Sequence, residues 1–208
     1  MSWLKPLVDA LADVEPAHLS RFLPPEDGSG RFSAVLMLFA SPSDDVADGD
    51  VLLLQRAATL RSHAGQVAFP GGATDPEDSS ATATALREAE EEVGLRPETV
   101  DVLLELPALF LPPSGFVVTP VLGSWREPHP VGVVDTGEVS AVARVPIADL
   151  VDPANRFMVH HPSGFVGPGF AASDLFVWGF TAGLLDRLLR LAGWEQPWDR
   201  GRVRPIPD

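Results

Sequence analysis

The chain has 208 residues, 45% of them hydrophobic, a formal net charge of −14 and no cysteine. That length holds one well-buried core, the lack of cysteine excludes disulfides, thiolate metal sites and thiol nucleophiles, and the acidic balance argues against nucleic acid, whose binding needs Lys and Arg to neutralise phosphates. No run approaches the ~20 apolar residues of a membrane-spanning helix, and Asp9 and Asp13 stand where a secretory signal is apolar, so a soluble chain compatible with the cytoplasm, and no membrane partner, are expected.

In chain order, residues 3–14 carry Leu4, Leu7, Val8 and Leu11 at helical spacing, a short amphipathic helix that Pro16 is expected to end. Residues 24–30 are a turn-rich connection, Arg31–Ala40 an unbroken apolar strand, residues 41–50 an acidic loop and residues 51–56 a second strand. The second strand delivers Arg56 to a segment holding Arg61, His63, Gly65 and Gln66. Arginine suits phosphate oxygens through its planar fork of donors, and glycine lets backbone pass close to a ligand. His63 is read as neither ligand nor base. After a short strand over residues 66–69, Gly71 and Gly72 are expected to turn the chain toward a helix and expose backbone N–H groups to a phosphate.

That helix, to about Val93, organises the sequence. Thr82, Ala85, Leu86, Ala89 and Val93 form its core-facing stripe, with Asp78 as expected N-cap, Gly94 just past its end and Pro97 beyond. Glu88, Glu91 and Glu92 converge beside the stripe, while Glu90 points elsewhere. Like charges at i, i+4 repel, and the negative end of the helix dipole lies close by. The arrangement calls for a cation, and hard divalent cations such as Mg2+ or Mn2+ take carboxylate oxygens together with substrate phosphates.

Beyond the helix, residues 100–110 and 116–122 read as strands joined by Pro112, Pro113 and Gly115, with Pro120 favouring an edge or bulge. Residues 125–137 are a loop, residues 138–145 a strand and residues 147–150 a helical turn. Glu138 offers a fourth carboxylate, to complete a metal shell or accept a proton, against the alternative of an exposed strand end. Residues 157–161 and 175–177 are a final strand pair around a Gly-rich loop, and a leucine stripe from Leu184 to Leu191 marks a closing helix. A tail from Gly193 onward is expected to be loosely held.

The run Arg87-Glu88-Ala89-Glu90-Glu91-Glu92-Val93-Gly94-Leu95 resembles the second half of the Nudix box, G-x5-E-x7-R-E-U-x-E-E-x-G-U with U aliphatic. The first half departs from it: fourteen residues rather than thirteen separate Gly72 from Arg87, and the expected Glu falls on Asp78 or Ser79. That irregularity resembles the branch of the family that hydrolyses coenzyme A. So do Leu52-Leu53-Leu54-Gln55-Arg56-Ala57, Arg61, Gly65 and Phe69-Pro70-Gly71-Gly72 upstream, with Leu54 in place of a Thr.

The resemblance implies an α/β fold, the Nudix α/β/α sandwich with a mixed β-sheet between helices, over residues 31–193, preceded by a packing helix and linker (1–30) and followed by the tail (194–208). It implies Mg2+ or Mn2+ held by Glu88, Glu91 and Glu92, and Arg87 pairing with Glu91 to fix its rotamer. The substrate-binding residues would be Arg56, Arg61, Gly65, Gln66, Gly71 and Gly72. Glu88, Glu91 and Glu138 stay open as general base. The implied reaction is cleavage of coenzyme A or acyl-CoA to 4′-phosphopantetheine, or its acyl form, and adenosine 3′,5′-bisphosphate. The alternatives are a pyrophosphatase of ADP-ribose, dinucleotides or nucleoside triphosphates, a non-catalytic nucleotide-binding module, or a calcium-binding structural helix. Oligomeric state is left open, a homodimer included.

Overall fold

The computed structural model describes residues 2–60, 63–161 and 164–206. Helix α1 (Lys5–Leu11) is followed by a single turn, α2 (Pro16–Leu19). Pro16 therefore opens a helix instead of closing one, at the first helical position, where its missing N–H costs nothing. Strands β1 (Arg31–Ala40) and β2 (Asp50–Arg56) pair antiparallel, Phe39 opposite Val51. Both are buried on two faces: Leu36, Leu38, Leu52 and Leu54 enter one apolar cluster, and Met37, Phe39, Val51 and Leu53 enter the other. This accounts for apolar runs without polar alternation.

Two short strands, β3 (Val67–Ala68) and β4 (Gly71–Ala73), lie where β1 and β2 diverge. β3 pairs with β2 at Leu54 and Gln55, and β4 pairs with β1 at Ser33 to Val35. The segment Phe69-Pro70-Gly71-Gly72 is thus a wedge in a split sheet, with Leu36 N–H donating to the Pro70 carbonyl at 2.8 Å. Gly71 and Gly72 sit in a strand here, where a turn was predicted.

After helix α3 (Ala81–Val93) come β5 (Val100–Glu105), β6 (Leu109–Leu111), β7 (Phe116–Trp125) and β8 (Val139–Pro146). β7 lies parallel to β1, while β5, β6 and β8 join antiparallel, so the sheet is mixed. Pro120 was predicted for an edge or bulge, yet it stands in central β7 opposite Val35. It is tolerated because its outer side faces the interruption between β5 and β6, where the Leu106 N–H donates to its carbonyl.

Helix α3 covers one face of the sheet through Ala85, Ala89 and Val93. The other face is covered by α1 and by α5 (Gly179–Leu191), through Leu7, Leu184, Leu185 and Leu188, which gives the expected α/β/α layering. Short α4 (Ile147–Val151) leads to a second sheet of β9 (Arg156–His160), β10 (Val166–Ala172), β11 (Leu175–Val177) and β12 (Val203–Arg204), in the order β11-β10-β9-β12. β10 occupies the stretch predicted as a Gly-rich loop. Its Gly169 lies where a Cβ would come within 2.6 Å of the Phe157 ring, so glycine is what lets the aromatic pack flat on the strand.

The tail is pinned, contrary to expectation. β12 pairs with β9, Trp194 stacks on Trp3 at 5.6 Å, and residues 195–200 close over Arg156. Arg156 is fully buried, paired with Asp186 and, at 3.1 Å, with Glu195, and it lies against the rings of Phe170 and Trp198. Among the described residues no helix is long and apolar enough to cross a membrane.

Breaking a buried ion pair strands the remaining charge, whereas an exposed pair is screened. Asp186→Ala is therefore expected to cost about 3 kcal/mol, the low end for a buried pair because Glu195 remains. Asp9→Ala, which breaks the exposed Lys5–Asp9 pair, is expected to cost under about 0.5 kcal/mol. Urea unfolding midpoints at constant m-value measure both.

Candidate active site

Helix α3 starts at Ser80, whose Oγ accepts the Ala83 N–H at 3.1 Å, so Asp78 is not the N-cap that was predicted. At its other end Gly94 takes the left-handed conformation with φ of 71°, and the chain beyond β7 crosses back over the helix. There Gly132 N–H donates to the Val93 carbonyl at 3.0 Å and Val134 N–H to the Glu92 carbonyl at 3.2 Å. The acid-bearing turns are thus fixed by backbone groups far away in sequence.

Asp78 has a different task. Its Oδ1 and Oδ2 accept Arg87 Nε at 3.1 Å and Nη2 at 2.8 Å, a bidentate pair, while the Thr84 hydroxyl and Asp75 N–H also donate to it. The Arg87 guanidinium holds this carboxyl far below the usual carboxylate range. Arg87 also donates to Glu88 Oε1 and Glu91 Oε2, each at 3.0 Å, and to the Ala73 carbonyl at 3.0 Å. One cation thus orients two of the three box acids. The extra residue before the helix has a geometric meaning: Asp78, one position further from Arg87 and one methylene shorter than the expected Glu, reaches the same guanidinium. The sequence carries the signal as an acid next to the expected position, but an Asp just ahead of a helix carries the capping signal as well.

Glu88 and Glu92 face the wedge. A Cβ on Gly72 would collide with the Glu88 carboxylate, so this glycine is what admits the acid. Glu92, only 3% exposed, accepts the Gly71 N–H at 2.9 Å, and Arg56 Nη1 stands 3.9 Å from its other oxygen. Burial pushes Glu92 up to about 7, opposed by the Gly71 hydrogen bond and reinforced by the charges of Glu88 and Glu138. Burial also raises Glu88, with Glu91 and Glu138 adding to the rise and Arg87 resisting it. Glu91, in contrast, is exposed.

Of the other predicted residues, Arg56 is brought to the acids, and its Nε is buried with no hydrogen-bond partner among the described residues. Gln66 acts from behind: its carbonyl accepts the Arg56 N–H at 2.9 Å, and its side-chain oxygen is 2.9 Å from His63 Nδ1. Gly65 turns the loop with φ of 68°, its carbonyl accepting Gln55 Nε2. Arg61 lies outside the described residues. Glu138 precedes β8, and its carbonyl accepts the Ala57 N–H at 2.8 Å, beside Arg56.

Among the described residues no three acidic or imidazole side chains already stand in ligating geometry, since Glu91 is drawn onto Arg87 and Glu92 onto Gly71. The donor chemistry nevertheless fits a hard divalent cation. Glu88 and Glu92 are desolvated carboxylates in mutual repulsion, with Arg56 and Arg87 as incomplete compensation, and carboxylate oxygens are what Mg2+ and Mn2+ take.

A sequence profile described as the NUDIX domain matches residues 31–165, from the first residue of β1 to just before β10. The chain belongs to the Nudix family. Similar curated relatives include two proteins called uncharacterized Nudix hydrolase NudL. That of Cronobacter sakazakii is 44% identical over 154 residues, 71% of this chain and 77% of the relative. That of Escherichia coli strain K12 is 42% identical over 145 residues, 66% and 72%. Among solved structures, the Nudix hydrolase RenU of M. smegmatis aligns with a TM-score of 0.53 at 20% identity, over 86% of this chain and 98% of that one. A Nudix hydrolase of Alicyclobacillus acidocaldarius aligns at 0.50 and 19%, over 77% and 91%. At such identities the likeness is one of fold. Nudix hydrolases generally use divalent metal ions such as Mg2+.

Two outcomes follow from the geometry of this Nudix helix. Asp78→Asn removes the charge that holds Arg87, and a lost supporting contact of this kind typically costs 10–100-fold; kcat is expected to fall by about that factor while circular dichroism stays unchanged. In metal-free protein, the raised Glu92 makes the native state bind more protons than the unfolded state between the ordinary carboxylate value of 4.5 and about 7. Stability from this group is thus lost as pH rises through that window, by roughly 3 kcal/mol at most. Glu92→Gln should therefore gain stability relative to wild type on going from pH 5 to pH 8 in EDTA, read by urea unfolding; an unchanged difference rejects the shift.

Proposed function

We propose that this Nudix hydrolase is a divalent-cation-dependent pyrophosphohydrolase of coenzyme A or acyl-CoA, releasing 4′-phosphopantetheine or its acyl form and adenosine 3′,5′-bisphosphate. The supporting observation is that the upstream run is built into the site as one unit. β2 carries Arg56 to 3.9 Å from Glu92, and Phe69-Pro70-Gly71-Gly72 wedges the sheet so that Gly71 and Gly72 meet Glu92 and Glu88. These are the residues whose pattern resembles the coenzyme A branch. The Mg2+ or Mn2+ ligands in this reading are Glu88, Glu91 and Glu92.

A divalent cation at that position, when bound, neutralises the pyrophosphate oxygens and lowers the pKa of a water poised for in-line attack. The chain's own groups do the rest by position and charge. Arg56, with its Nε unpartnered among the described residues, offers its donors to a phosphate oxygen. Arg87 fixes the rotamers of Glu88 and Glu91. Arg87 engages Glu88 and Glu91 alike, so Glu88, Glu91 and Glu138 all stay open to accept the water's proton at a carboxylate oxygen.

The test is product analysis after incubation of the protein with coenzyme A and Mg2+ or Mn2+, with EDTA as control. The expected result is metal-dependent release of adenosine 3′,5′-bisphosphate. Intact coenzyme A alongside cleaved ADP-ribose or dinucleotide rejects the substrate and keeps the chemistry. No turnover of any of them points to a nucleotide-binding module.

A further inference from the structure

Between β7 and β8 the chain crosses the C-terminal end of α3, donates to the Glu92 and Val93 carbonyls, and arrives at Glu138. The residues just before that crossing, Pro128, His129, Pro130 and Val131, line an open cavity of about 550 Å3 together with Val142 and Arg144. The volume falls in the range of roughly 300–1,000 Å3 usual for small-molecule sites. Val131 and Val142 rest on the same apolar cluster as Ala89 and Val93, so the cavity opens on the α3 side of the sheet, where the acids are. The register of β8 sets its place along that side: Val139 lies opposite Arg56, Val142 opposite Leu54 and Arg144 opposite Leu52. At about 3.3 Å per strand residue, the wall at Val142 is about 10 Å, and that at Arg144 about 16 Å, from Val139, the neighbour of Glu138. Val134, which is 59% exposed, donates its N–H to the Glu92 carbonyl at 3.2 Å.

The charge of the cavity decides what it accepts. Arg144 donates through Nε and Nη2 to Asp50 at 2.9 and 2.6 Å, and its guanidinium lies over the Trp125 ring, so its charge is already compensated. His129 is also engaged: its Nε2 accepts the Arg96 N–H, and its Nδ1 is 3.0 Å from the Pro130 carbonyl. In a chain of net charge −14, a phosphorylated nucleoside finds no uncompensated cation on these walls, whereas an uncharged chain finds the apolar faces of Val131 and Val142.

We propose that this cavity holds the pantetheine arm of the substrate, so that the phosphorylated adenosine half leaves the acids on another side. Val131 and Val142 are then specificity determinants acting by apolar contact. The assignment rests on coenzyme A being the substrate, and its test is independent of cleavage: titration of methyl-labelled protein with pantetheine, which lacks the pyrophosphate, followed by NMR. Saturable shifts centred on the Val131 and Val142 methyls are expected. Shifts centred elsewhere, or none up to the solubility limit, overturn the subsite whether or not coenzyme A is cleaved. Val142→Trp, which fills the cavity, should weaken pantetheine binding at least tenfold. Val142→Thr, nearly isosteric and safer for folding, should weaken it severalfold; unchanged affinity in folded Val142→Thr and Val142→Trp proteins rejects the assignment. A kinetic arm separates the two readings. If wild type cleaves coenzyme A, Val142→Trp should lower its kcat/KM relative to that of ADP-ribose at least tenfold, whereas a merely structural effect lowers both alike. If wild type leaves coenzyme A intact, the substrate reading fails on its own.

Discussion

A helix that collects carboxylates in its last two turns works against its own dipole and against the mutual repulsion of its side chains. The rest of the fold is arranged around that unfavourable end. Arg87 is the central compensation, divided between Asp78 on one side and Glu88 and Glu91 on the other. Glu92 lies beyond its reach and relies on one backbone N–H and a more distant Arg56. The shortfall is visible in the raised Glu88 and Glu92 carboxyls, and a cation bound between them would remove it.

The split in the central sheet makes this arrangement possible. Where β1 and β2 part, the Phe69-Pro70-Gly71-Gly72 wedge supplies an N–H for Glu92 and a side-chain-free surface for Glu88. A continuous sheet would present side chains there, and Glu88 would be displaced. The loop after β7 completes the frame from the opposite end by tying the Glu92 and Val93 carbonyls, so carboxylates and helix end are held by different parts of the chain.

Periodic and local features were legible in the sequence. Strand β1 matched its predicted span, the α3 stripe was placed through Ala85, Ala89 and Val93, and Gly94 ended the helix as expected. Features that depend on distant partners were not. The service of Asp78 to Arg87, the strand made of Gly71 and Gly72, and the place of Pro120 opposite a break in its neighbour all need the tertiary arrangement to be known first. The same holds for β10, whose Gly167 and Gly169 read locally as a loop and structurally as room for Phe165 and Phe157. Tail residues read as loose for the same reason: their anchor, buried Arg156, gives no local signal.

The parallel pairing of β1 with β7 joins Arg31 to Phe116 and Phe39 to Ser124, partners 85 positions apart. Loop closure over such a distance must be met before the sheet's central contacts return any stabilisation, which places the fold among the slower, high-contact-order topologies. Helix α3 lies within that loop and is poorly suited to stand alone, because its charges oppose its dipole. Its platform includes both β1 and β7. The acid-bearing helix thus depends on a sheet closed from distant segments, and so do the outside groups, Gly71 N–H and Arg56, that meet Glu92.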